Sequence, residues 1–131
     1  MFFQKLIEAV RDNKSLLIET TLSGRYLEKF LRNLSNGNYK IRIVFLFADS
    51  PEILIERIAE RVKKGGHFVP DEDVRRRFVR GKKIFWKTYK DLADSWGLIY
   101  NSESAFHEVA LSENQEIKIF DENLYQKFLQ I

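Results

Sequence analysis

Apolar residues recur along this chain in two rhythms, one helical and one strand-like, and the two alternate. Phe3, Leu6, Ile7 and Val10 fall at helical spacing and predict an amphipathic helix over residues 2–13. Asn13-Lys14 breaks it, and Ser15 to Thr21 reads as a short buried strand. Gly24 marks a turn. Leu27, Phe30, Leu31 and Leu34 form the stripe of a second helix, ended by the polar stretch Ser35 to Asn38. Tyr39 to Ala48 is the clearest strand, and its near-continuous apolar run from Ile43 suits a central parallel strand covered on both faces. Ser50-Pro51 then offers an N-cap followed by proline at the first helical position. Ile55, Ile58, Ala59 and Val62 are the stripe of that third helix, which Gly65-Gly66 stops. After Pro70, with Asp71 as cap, Val74, Phe78, Gly81, Phe85, Tyr89, Leu92 and Trp96 continue one long helix. Leu98 to Tyr100 is a short strand, Phe106 to Leu111 and Glu116 to Phe120 two more, and a short helix follows from Glu122. Strands alternating with helices predict an α/β fold on a parallel sheet with right-handed crossovers.

Composition narrows the class. The 131 residues are 44% hydrophobic and 14% aromatic, which is globular and not disordered. They form one domain or part of one. No apolar run can span a bilayer, and the first residues carry an acid inside their apolar stretch, unlike a signal peptide. The chain has no cysteine and only two histidines, His67 and His107, far apart, so neither disulfides nor a zinc site is expected. Cytoplasm is the default compartment. The net charge is only +3, but Arg57 to Lys90 concentrates the basic residues, marking where an anionic partner binds.

Ligands of open parallel sheets bind beyond the carboxyl ends of the strands. Three such ends are polar here. Glu19-Thr20-Thr21-Leu22-Ser23-Gly24-Arg25 crowds a carboxylate, three hydroxyls and a guanidinium together, more densely than capping requires. Asp49-Ser50 has the plainer reading of a helix cap. Asn101-Ser102 ends the last of these strands. A second constellation runs from Arg57 and Arg61, one helical turn apart, through Gly65-Gly66-His67 and Pro70 to Arg76, Arg77 and Arg80. Two arginine clusters about a glycine joint are what a lid over polyphosphate needs, because phosphoryl transfer spreads negative charge over the moving group's oxygens. The competing reading is two solvated helix faces, with the arginines paired to Glu56, Glu60, Asp71 or Asp73.

These stretches, with Tyr100-Asn101-Ser102, resemble the zeta-toxin family, and more closely its chromosomal branch of P-loop ATPases. The similarity runs from about Phe3 to Ser102. It implies a three-layer, parallel-sheet fold of the nucleotide-kinase type and an ATP-dependent kinase acting with Mg²⁺ on a small molecule or sugar nucleotide. By the same resemblance, residues 1–131 are a single partial domain, with a phosphate-contacting lid over 57–80 and a tail over 103–131. Arg61 and Arg77 would be the catalytic phosphate contacts. Glu19, Thr20, Thr21, Ser23 and Arg25 would bind the acceptor. Arg57, Arg76, Arg80, Asn101 and Ser102 would lie toward the nucleotide, and His67 and Pro70 would shape the lid hinge.

One family feature is missing. A P-loop reads Gly-x-x-x-x-Gly-Lys-Ser/Thr, and none of the six glycines closes that pattern. The only Gly-Lys pair, Gly81-Lys82, sits within a helix. In the family's layout the P-loop strand lies between the strands matching 15–21 and 39–48, so two apolar strand edges would face a gap. Either those strands pair directly, or another polypeptide, a split-gene partner or a second copy, fills the slot. The alternative function is a non-catalytic nucleotide-binding or protein-interaction module. Nucleic acid is disfavoured as a partner, since the basic stretch lacks aromatic interleaving and any recognition motif.

Overall fold

The computed structural model describes residues 2–20, 26–101 and 105–130. Its elements follow in the order α1 (Phe2–Arg11), α2 (Tyr26–Ser35), β1 (Arg42–Phe47), α3 (Pro51–Lys63), α4 (Asp71–Ile84), a π-helical turn (Phe85–Tyr89), α5 (Lys90–Leu92), β2 (Ser95–Asn101), β3 (Phe106–Glu113), β4 (Glu116–Ile119) and α6 (Glu122–Leu129).

The sheet has the order β1-β2-β3-β4. Only β1 and β2 are parallel, joined through α3 and the α4–α5 rod, with Phe47 opposite Tyr100. β2, β3 and β4 form an antiparallel meander. The expectation of a wholly parallel sheet is therefore corrected. Asn114 and Gln115, both at positive φ (51° and 65°), make the two-residue turn between β3 and β4, and such a turn returns the chain antiparallel.

β1 is an edge strand, not a central one. Ile43, Phe45 and Phe47 face the core, while Val44 and Leu46 on the opposite face are 62% and 48% exposed. Its start is pinned to β2 by Asp94, whose side chain accepts from the Ile41 N–H at 2.7 Å and whose own N–H donates to the Ile41 carbonyl at 2.8 Å. The strand expected over 15–21 is corrected too. Residues 14–20 carry no regular structure, and Leu17 is fully exposed. A strand exists only with a neighbouring strand to take its backbone N–H and C=O groups, and no strand of the described sheet runs beside this segment.

The core lies between one face of the sheet and α2, the π turn and α6, with Phe47, Phe85, Tyr89, Trp96, Leu98, Val109 and Phe128 at its centre. Trp96 belongs to β2, not to the long helix, which ends at Leu92. The π turn adds one residue to the helical register and buries both Phe85 and Tyr89. Phe85 stacks on Phe45 with centroids 4.7 Å apart.

α3 ends on a Schellman cap. Gly66 N–H donates to the Arg61 carbonyl at 2.7 Å and Gly65 N–H to that of Val62 at 3.0 Å. Gly65 has φ +92°, and a Cβ on Gly66 would meet the Arg61 oxygen at 2.9 Å, so both positions require glycine. The Gly-Gly pair is thus an ordered stop between the two arginine clusters.

Candidate functional site

Beside the free edge of β1 opens a groove of about 2040 Å³. Every residue of β1 lines it, as do the segment before α2, parts of α2 and α3, and one side of α4. Glu19, Thr20, Arg57, Arg61, Arg77 and Asn101, drawn from four separate stretches, all face this space. Seven basic side chains line it against three acidic ones, Glu19, Glu56 and Glu60, so its potential favours an anion.

Which arginines are committed elsewhere decides between the lid reading and the solvated-helix reading. Arg76 pairs with Asp73 at 3.1 Å, and Arg75 with Glu52 at 3.5 Å. Arg61 and Arg77 have no acidic partner among the described residues, and both are exposed. Arg57 is half-buried, and its Nη2 donates to the Asn101 carbonyl at 3.3 Å, tying α3 to the end of β2. Arg76 and Arg80 lie elsewhere. With Arg75 and Lys83 they line a separate, open depression on another side of α4. Thr21, Ser23, Arg25 and Ser102 fall outside the described residues. His67 and Pro70 are exposed in the connector between α3 and α4.

Asp49 and Ser50 divide their roles. Ser50 occupies the N-cap position of α3 with extended backbone, but its side chain makes no capping bond. Asp49 instead accepts hydrogen bonds from Lys127 on α6 and from the Tyr100 hydroxyl on β2. These partners, Lys127 first, hold its carboxyl below the ordinary carboxylate range against a smaller opposing effect of burial. A carboxylate depressed on folding contributes stability above its unfolded pKa, and loses it as pH falls through the folded one. Removing the ammonium with Lys127→Ala is expected to bring the Asp49 midpoint up toward the ordinary value. Carboxyl ¹³C titration by NMR measures it, and an unmoved midpoint would show that the tail does not govern Asp49.

Lys82 was not among the residues singled out from sequence. It is 8% exposed, the one buried charged side chain among the described residues, and it lines the groove. Its Nζ lies 5.1 Å from the ring centre of Phe78, 5.2 Å from Phe128 and 5.7 Å from Phe47. Burial lowers its pKa, with a further push from nearby Lys127. The signal was in the spacing: Val74, Phe78 and Lys82 are four apart, so the charge stands on the apolar stripe.

Among the described residues no group of three or more His, Cys, Asp or Glu side chains could hold a metal ion, and no helix is long and apolar enough to cross a membrane. The chain matches no family model and no solved structure. It is similar to an uncharacterized protein of Haemophilus influenzae, 27% identical over 70 residues that make up 53% of this chain and 50% of that protein. The chain spans about half the length of the curated relative it matches.

Proposed function

We propose that residues 1–131 are the acceptor-binding and lid portion of an ATP-dependent phosphotransferase of the zeta-toxin type, working in the cytoplasm on a small molecule or sugar nucleotide. The observation that carries the reading is the state of Arg61 and Arg77. They lack acidic partners among the described residues and face one groove together with Glu19, Thr20 and the open edge of β1. Guanidinium groups left uncompensated beside an anion-sized space are suited to hold phosphoryl oxygens, bidentately and at fixed charge. In this reading a segment outside residues 1–131, in the same polypeptide or another, adds a strand to β1 and brings the phosphate cradle. The residues described do not fit a magnesium site by themselves. Mg²⁺ would ride on the nucleotide phosphates and on the hydroxyl that a P-loop supplies.

A second reading rests on the missing Gly-x-x-x-x-Gly-Lys-Ser/Thr: the groove binds a nucleotide or a protein partner without catalysis. Calorimetry separates the two. The DNA before the codon of residue 1, or a neighbouring gene, is expected to encode a P-loop. ATP with Mg²⁺ should bind the chain alone only weakly, through its phosphates in the groove, and much more tightly once that product is added. Absence of ATP binding in both mixtures would sink the phosphotransferase reading.

A further inference from the structure

Lys82 presents a chemical problem that the fold does not solve. Its ammonium has three N–H donors, and no acceptor within hydrogen-bond reach is seen among the described residues. The surrounding rings of Phe47, Phe78 and Phe128 attract the charge but leave the N–H groups unpaired. The Nζ itself is not among the fully buried atoms left without a partner, so its N–H groups open onto the groove and are free to meet a ligand there. Lys127, itself paired with Asp49, adds like-charge repulsion. The side chain is nonetheless at the groove wall, near the carboxyl end of β1, where sheets of this kind bind ligands.

We infer that Lys82 is an anion-binding residue of the groove, whose ammonium, set among aromatic rings, donates to a phosphoryl oxygen of a polyphosphate ligand. The aromatic enclosure serves this role in two ways. It limits the water around the ammonium, which strengthens its charge interactions, and it holds the flexible lysine in one place before the ligand arrives. A polyphosphate is favoured over a monocarboxylate because the basic excess along the groove matches several negative charges. This binding role needs only the groove, and it stands or falls separately from phosphoryl transfer.

Inorganic pyrophosphate on the unaccompanied chain is the direct probe. Calorimetry should show binding to the wild type and to Lys83→Met, which removes an equal charge from another side of α4. Lys82→Met should weaken it at least tenfold, and acetate should give no heat at any of the three proteins. Methionine suits the ring-lined space, so the variant is expected to fold, as circular dichroism will show. As a readout free of mutation, the Lys82 ¹³Cε resonance should move on adding pyrophosphate. Equal affinity in Lys82→Met and Lys83→Met, no wild-type binding at millimolar pyrophosphate, or an unmoved resonance would each overturn the inference.

Discussion

Phe128→Ala is expected to lower the stability of the domain by about 3–5 kcal/mol, the usual cost of deleting a fully buried aromatic ring. Phe128 has no exposed surface. Its ring meets Phe47 at 5.1 Å, Trp86 at 5.7 Å, Phe45 at 5.9 Å and Phe85 at 6.4 Å between centroids, thereby joining α6 to β1 and to the helical rod. A cavity there would be shared by several rings that cannot all collapse into it. Domains of this size have on the order of 5–15 kcal/mol in total, so the loss removes a large part of the whole. Urea unfolding followed by tryptophan fluorescence measures it. A midpoint unchanged from wild type would show that α6 is an appendage and not part of the core. The same experiment on Phe106→Ala, exposed at the start of β3, should shift the midpoint little.

The second large effect concerns activity. Under the proposed phosphotransferase function, Arg61→Ala and Arg77→Ala are each expected to reduce kcat/KM by about 10²- to 10³-fold, the loss typical of one well-placed transition-state contact. Arg76→Ala and Arg80→Ala should stay within a few-fold of wild type, because their side chains belong to the other depression and Arg76 is already paired with Asp73. The contrast within α4 is informative, since Arg76 and Arg77 are adjacent and equally charged. Only their direction differs. Initial rates at varied ATP settle the matter, and equal losses at 76 and 77 would mean that the groove is not where phosphate is held.

Local periodicity carried most of the helices and strands. The stripe Leu27, Phe30, Leu31 and Leu34, the Ser50-Pro51 start and the Gly65-Gly66 stop each encode their element within one or two turns of chain. What failed depends on neighbours distant in sequence. An apolar run such as Ile43 to Ala48 is the same whether one side of the strand or both are occupied, so β1 reads as central although its outer edge is free. Ser15 to Thr21 has the composition of a strand, yet no strand of the described sheet runs beside its described part. Trp96 continued a helical period by coincidence of spacing, across a break at Ala93 and Asp94.

The site was partly legible for the same reason. The resemblance sets Arg61 and Arg77 apart from Arg76 and Arg80; which side of α4 turns to the groove is legible only in the fold, and it is the side with Arg77. The Asp49–Lys127 pair joins residues 78 apart, beyond the reach of any local pattern. Lys82 could have been found. A lysine on an apolar stripe is an anomaly that invites a question about what it faces.

The central claim is that phosphate binds beside β1, on the side of α4 that carries Arg77. The most direct measurement is an amide and arginine-side-chain NMR map of the chain, joined to the P-loop-bearing segment that the proposed function calls for, titrated with a non-hydrolysable ATP analogue and Mg²⁺. The largest shifts are predicted at Val44 to Ala48, at Arg57 and Arg61, and at Arg77 and Lys82, with Arg76 and Arg80 nearly unmoved. Shifts concentrated at Arg75, Arg76, Arg80 and Lys83 would contradict it.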